Sequence, residues 1–172
     1  MTTLFATLTL IFSSLAWTNE LPPVRTVPYV DLERYMGKWY EIAAYPQSFQ
    51  KDCVKSRAEY SLRDDGKVNV TNSCQLKNGE TKVAKGTAKV VDKASNAKLK
   101  VTFFWPFYGD YWIIDLGQDY EYVVVGAPGR DYLWILSRKP EMREAVYQRI
   151  LRGIENQGFS LEPLKITGKV VR

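Results

Sequence analysis

The feature that most restricts this chain is a succession of short β segments with turn signals between them. Residues 38–45, 54–62, 68–74, 81–91, 98–104, 111–116, 120–125 and 132–137 read as eight such segments. Asp64-Asp65-Gly66 and Asn78-Gly79 are hairpin signals, because Gly and Asn tolerate the left-handed backbone that tight turns need. A run of this kind buries its apolar faces as a meandering antiparallel sandwich or barrel. A length of 172 residues suffices for one domain with a proper core.

The C-terminal region changes period. Met142, Val146, Ile150 and Ile154 recur every four residues within 141–157, with charged residues on the other side. Pro140 opens this stretch and Gly158 closes it, as in an amphipathic helix. In the segment before it, Tyr132, Trp134 and Leu136 share one face, and Leu133 and Ile135 the other. A strand with one wet face alternates, so two apolar faces imply that one looks into a core and the other lies under the helix. The expectation is an all-β fold: an eight-stranded antiparallel up-and-down barrel with one C-terminal helix packed outside. Closure removes the sheet edges and leaves room for side chains or one small ligand.

Composition narrows the function. The chain has no His, which excludes His-based metal sites and His general bases. Five Trp and eleven Tyr suggest a core or pocket built on rings. The formal charge of +5 is either a plain solvated surface or an attraction to anionic lipid head groups at a membrane. Lys and Arg are spread along the chain, which argues against nucleic acid.

The N-terminal residues 4–15 are apolar, and Ser14-Leu15-Ala16 ends in small residues, as at an export signal occupying residues 1–16. No basic residue precedes the run, so a simple N-terminal arm is the alternative. The run is too short to span a bilayer as a helix. No Cys follows it, so the expectation is a soluble protein, periplasmic or secreted, without a lipid anchor. Residues 17–30, rich in proline, read as an extended lead-in; Asp31 can cap a helical turn that Gly37 ends.

Cys53 and Cys74 are the two cysteines. In an exported protein such a pair is usually a disulfide, and a loop of about 20 residues would contribute roughly 3 kcal/mol. Two free buried thiols are the alternative. Pairing across Asp64-Asp65-Gly66 puts Cys74 near Ser56 but Cys53 near Lys77, so a bulge or bend is needed to join them.

Gly37-Lys38-Trp39-Tyr40, the stretches 60–66, 103–109 and 130–138, and the helix after them resemble lipocalins in order and kind. The likeness runs over roughly 31–166, is nearest to bacterial outer-membrane lipocalins and their plant and animal relatives, and makes 31–172 a lipocalin domain. It implies that Trp39 and Arg138, with Gly37, close one end of the barrel through a guanidinium stacked on an indole. By strand alternation Glu41, Ala43 and Tyr45 then share the inward face of Trp39, with Ala43 leaving space. An inward Glu41 needs a partner: Arg138 is a candidate, unless a bulge turns Glu41 outward.

The same likeness makes Tyr108 and Trp134 the first ligand contacts, followed by Phe104 and Trp112, with Tyr132 on the face of Trp134. The segment around Trp105 and Pro106 is either a packed loop or an apolar rim at the barrel mouth. The implied ligand is a fatty acid or lysophospholipid, with a role in membrane lipid maintenance. No cofactor, metal or catalytic residue is implied. Transient contact with a membrane surface and a homodimer complete the partners that the resemblance allows. The alternatives are a lipocalin-fold isomerase, which needs a free thiol or paired carboxylates, and a filled barrel serving as an interaction scaffold.

Overall fold

Two turns set the meander. Gly66 (φ +76°) and Gly79 (φ +88°) hold the left-handed position that follows a type I turn. Their N–H groups donate to Arg63 O and Leu76 O at 3.0 Å, and the next main-chain bonds, Arg63 N to Lys67 O and Leu76 N to Glu80 O, start the flanking ladders. The computed structural model describes residues 21–172, so the export signal expected at 1–16 lies outside the described residues.

The strands are β1 (Gly37–Ala44), β2 (Cys53–Leu62), β3 (Val68–Leu76), β4 (Thr81–Val90), β5 (Lys98–Phe104), β6 (Phe107–Leu116), β7 (Tyr122–Gly126) and β8 (Leu133–Ser137). Each pairs antiparallel with the next, and β8 pairs back to β1, so the eight-stranded sheet closes. A short helix, α1 (Leu32–Tyr35), precedes β1; Asp31 Oδ1 caps it by accepting from Glu33 N and Arg34 N at 3.0 and 3.2 Å.

Helix α2 (Glu144–Asn156) lies on the outer wall. Its Tyr147, Ile150 and Ile154 pack with Ile42, Tyr122, Val124, Leu133 and Ile135 from β1, β7 and β8. Fully burying side chains of this size is worth about 1.5–3 kcal/mol each. The opposite faces of β7 and β8 join an inner cluster through Val123, Val125 and Leu136. The two apolar faces of β8 therefore look into the barrel and under the helix.

The helix is shorter than its sequence pattern. Residues Glu141–Arg143 form a strand, β9, that pairs in parallel with β11 (Lys169–Val171). This pairing holds 141–143 extended, and the helix starts only afterwards. Between α2 and β11, β10 (Lys165–Ile166) pairs with Ala43 and Ala44 of β1. It occupies the edge of β1 beyond Tyr40, where the pairing of β1 with β2 stops.

Among the described residues the sheet has four register shifts; one lies between Val101 and Phe104 of β5, and the other three correct the simple alternation. In β1 the pairs run Glu41↔Leu136 and then Ala43↔Ile135, so Ile42 is the extra residue. Ala43 and Tyr45 therefore join the outer cluster under α2, and Ala44, opposite Trp134, takes the inward place expected of Ala43. In β2 the extra residue is Val54, which brings Cys53 opposite Leu76 instead of Lys77. The Cα atoms of Cys53 and Cys74 then lie 5.4 Å apart and the disulfide is formed. In β6 a third bulge falls between Ile113 and Asp115, so Ile114 packs outside.

Candidate ligand-binding site

The interior is built on small residues set opposite rings. Alternation from buried Tyr60 and Val70 places Ala58, Gly86, Ala88 and Gly109 on the inner face of β2, β4 and β6. The room they leave in this conformation is about 20 Å³, lined by Leu32, Met36, Leu99 and Val101 with the rings of Tyr35, Tyr60 and Tyr111. Small-molecule sites run from about 300 to 1,000 Å³, so a guest enters only as these side chains move apart.

The hydroxyls of Tyr35 and Tyr60 both meet that of Tyr111, at 2.7 and 3.0 Å. Burial pushes all three pKa values well above the ordinary tyrosine value, so they stay neutral. Two bonds among three hydroxyls use two of their three protons.

Below the tyrosines the barrel is shut. Trp39 is fully buried and its indole N–H donates to Tyr35 O at 2.9 Å. The Arg138 guanidinium carbon stands 3.8 Å above the indole. Arg138 donates to Arg34 O (2.6 Å), Met36 O (2.8 Å), Lys38 O (3.1 Å) and Tyr120 O (3.3 Å). Gly37 has φ +92°, and a Cβ there would lie 3.4 Å from Arg138 Nη1. The three residues expected at the closed end therefore touch one another there.

Toward the mouth the interior turns polar. Glu41 stays inward, ahead of the bulge, and is only 7% exposed. Its partner is not Arg138. Gln50 Nε2 donates to one carboxylate oxygen at 2.8 Å, and the Thr167 hydroxyl donates to the other at 2.8 Å. Burial raises the Glu41 pKa, and these two hydrogen bonds partly oppose the rise. Gln50 also reaches Ser56 Oγ at 3.4 Å, and its Oε1 lies 3.5 Å from the indole nitrogen of Trp134, which donates to it. Tyr132 stacks on Trp134 with ring centroids 5.8 Å apart. Gln50 sits on a short 3₁₀ turn (Ser48–Gln50) and Thr167 follows β10, so two loops far apart in sequence complete one site. Neither residue was expected; the one signal for them was an inward carboxylate without an evident partner.

The five expected ligand contacts divide. Trp134 is inward and half-buried, and Tyr132 stands beside it at the mouth. Phe104 is 80% exposed on the rim. Tyr108 and Trp112 lie on the outer wall and are corrected here. From Phe107 to Ile113, ahead of its bulge, β6 alternates, so Gly109, Tyr111 and Ile113 point inward while residues 108, 110 and 112 point out. Lys89 Nζ sits 4.6 Å from the Tyr108 ring, and Lys98 Nζ sits 4.6 Å from that of Trp112, where Lys98 is the cross-strand partner. Tyr111 is the aromatic of this strand that enters the hollow. The segment at Trp105-Pro106 is a tight turn between β5 and β6, and Phe49, Val83, Trp105 and Phe107 stand exposed around the same end.

Residues 30–169 match the family model of the lipocalin-like domain. Outer membrane lipoprotein Blc of Escherichia coli K12 is 40% identical over 161 residues, which cover 92% of this chain and 91% of the relative. Temperature-induced lipocalin-1 of Arabidopsis thaliana is 38% identical over 158 residues, covering 87% and 84%. Among solved structures, insecticyanin of the tobacco hornworm Manduca sexta superposes with a TM-score of 0.69 at 18% identity, covering 88% of this chain and 92% of the other. At that identity the likeness concerns the fold alone.

Proposed function

Since this chain belongs to the lipocalin family, we propose that its barrel binds and carries one small hydrophobic or amphiphilic lipid, a fatty acid or lysophospholipid, in the service of membrane lipid maintenance. The carrying observation is an apolar interior of small residues and rings, lined by Leu32, Met36, Leu99 and Val101 above the Trp39–Arg138 closure, with the polar group of Glu41, Gln50 and Trp134 nearer the mouth. An acyl chain entering it leaves water at a gain of about 0.8 kcal/mol per CH₂. Trp134 and Tyr132, with Phe104 on the rim, are the proposed contacts near the mouth, and Gln50 offers its amide to a polar head. Tyr111 meets the deep end of the guest.

The protein acts in this reading as a carrier and not as an enzyme. Cys53 and Cys74 are bonded to each other, and Asp64 and Asp65 sit in an exposed turn, so neither pair is set up for lipid chemistry. Its place is the cell envelope or the exterior, in brief contact with membranes. The relative from Escherichia coli is named an outer membrane lipoprotein, and no helix among the described residues is long and apolar enough to cross a membrane.

Two measurements test the reading. Native mass spectrometry of the gently purified protein is expected to show one bound lipid, and added fatty acid is expected to quench Trp fluorescence through Trp134. Recovery of no lipid together with unchanged fluorescence would overturn it.

A further inference from the structure

A second site lies on the outside of the barrel, in a groove between the β2–β3 turn and the β5–β6 turn. We propose that this groove receives the phosphate of an anionic phospholipid at a membrane surface while the rings of the β5–β6 turn enter the bilayer. Docking there serves the lipid-carrying reading above, on which its purpose rests, but the groove itself is separate from the hollow.

The groove crosses the outer faces of β4, β5 and β6. Ala88 points inward, so its neighbours Thr87 and Lys89 point out, and Thr87 pairs with Thr102 of β5. With Arg63 and Lys67 at one end and Trp105 and Tyr108 at the other, these residues border about 240 Å³. A water molecule takes about 30 Å³ of liquid, so a phosphate group has room there.

The electrostatics favour an anion. Arg63 and Lys67 both pair with one carboxylate, Asp65, at 3.0 and 3.2 Å. Lys89 has no acidic partner among the described residues, and its ammonium rests 4.6 Å from the Tyr108 ring. Two of the three cations therefore share one carboxylate, and the third pairs with none among the described residues. The neighbouring Lys100 and Asp110 pair at 3.7 Å and cancel.

A further observation points the same way. The Thr102 hydroxyl is buried beside the groove with no hydrogen-bond partner. An orphaned hydroxyl of this kind is uncommon in a folded protein. Thr102 lines the groove, and a phosphate oxygen held there would supply the acceptor that this hydroxyl lacks. The adjoining turn then distinguishes a membrane from a dissolved phosphate ester. Phe104, Trp105 and Phe107 are 80%, 82% and 77% exposed on this turn. Rings beside cations suit the boundary between acyl chains and head groups.

The test is flotation of the full chain with vesicles of phosphatidylcholine alone or of phosphatidylcholine containing phosphatidylglycerol. Binding is expected to the second kind and to fall as salt rises. A basic residue near an anionic surface is worth roughly fivefold in affinity, so Lys89→Glu is expected to weaken binding about tenfold or more. Arg152→Glu, on the exposed face of α2, changes net charge equally and is expected to do much less. Trp105→Ala and Thr102→Val are each expected to weaken binding severalfold. Equal losses in the Lys89 and Arg152 variants, or no loss in the Lys89 variant, would overturn the site. Displacement of Lys89 and Thr102 resonances by glycerol phosphate without any vesicle binding would overturn the membrane as its occupant. Fatty-acid quenching is expected to survive in Lys89→Glu. Its absence already in the unaltered protein would sink the carrier reading and leave the vesicle result standing.

Discussion

The two ends of the barrel are held by different kinds of contact. At the closed end, Arg138 donates to four main-chain carbonyls and covers a fully buried indole. Those acceptors belong to α1, the start of β1 and the β6–β7 turn, so one side chain ties three segments whose positions the fold already fixes. At the mouth, the polar contacts of Glu41, Gln50, Thr167 and Trp134 run from side chain to side chain, and the large rings face solvent. On the proposed function, stability is concentrated at one end and recognition at the other. Mouth residues are then expected to change with little effect on folding, and closed-end residues with a large one.

The largest effect expected from this contrast is that of Arg138→Ala. It leaves the carbonyls of Arg34, Met36, Lys38 and Tyr120 without their donor and removes the cation from Trp39. Bonds to charged groups are worth about 1.5–3 kcal/mol each before water replaces some of them, and the stacked cation adds about 0.5–2. A net loss of about 2–4 kcal/mol is expected, or a fall in Tm of roughly 5–15 °C for a domain of this size. Chemical and thermal denaturation measure it. A variant as stable as the parent would erase the distinction between the ends.

Glu41 supplies the intermediate case, because it is a buried acid at the end assigned to recognition. Its folded pKa is raised above the ordinary value of 4.5, chiefly by burial. An acid raised in this way is stabilising below its unfolded pKa, and that contribution is lost as pH rises through the folded value. Each unit of upward displacement corresponds to about 1.4 kcal/mol. Glu41→Gln keeps the shape and removes the charge. It is expected to match the parent near pH 4 and to become the more stable of the two as pH rises from 4.5 toward neutrality. Asp115, also raised by burial, is present in both proteins and cancels in the difference. Urea denaturation at several pH values measures the gap; parallel curves would show that Glu41 ionises at no cost.

The same contrast explains what could be read from the chain. Turn chemistry is local, so the β2–β3 hairpin and its pairing of Cys74 with Ser56 were legible from Asp64-Asp65-Gly66 alone. Trp39 and Arg138 were legible through the resemblance to lipocalins, which agrees with a closed meander making its first and last strands neighbours. A bulge or bend near Cys53 was called for by the pairing, but the places of the bulges at Ile42 and Val54 were not legible, because a bulge is a count of two residues against one, set by the partner strand and the curvature of the barrel. That is why Ala43 and Ala44 exchange roles. Tyr108 and Trp112 came from the likeness to lipocalins, whereas alternation along 107–113 puts them on the face opposite Tyr111. Gln50 and Thr167 meet Glu41 across 9 and 126 residues. Sequence spacing carries no signal for such contacts beyond the orphaned acid itself.

The smallest effect is expected on the rim, and it sharpens the comparison most directly. Phe49 stands on the turn that also carries Gln50 and is 68% exposed. Its ring buries little on folding, so Phe49→Ser is expected to change stability by less than about 0.5 kcal/mol, the usual range for a surface substitution. Added fatty acid should still quench Trp134, because Gln50 and its bonds to Glu41 and Ser56 remain. An acyl chain whose end projects through the mouth loses an apolar neighbour, so affinity for long chains should fall by a few-fold and affinity for short ones should not. Titrating parent and variant with fatty acids of increasing length measures this difference. A fall of several degrees in Tm would show instead that the ring packs into the folded body, and the mouth would then share the structural burden assigned to the closed end.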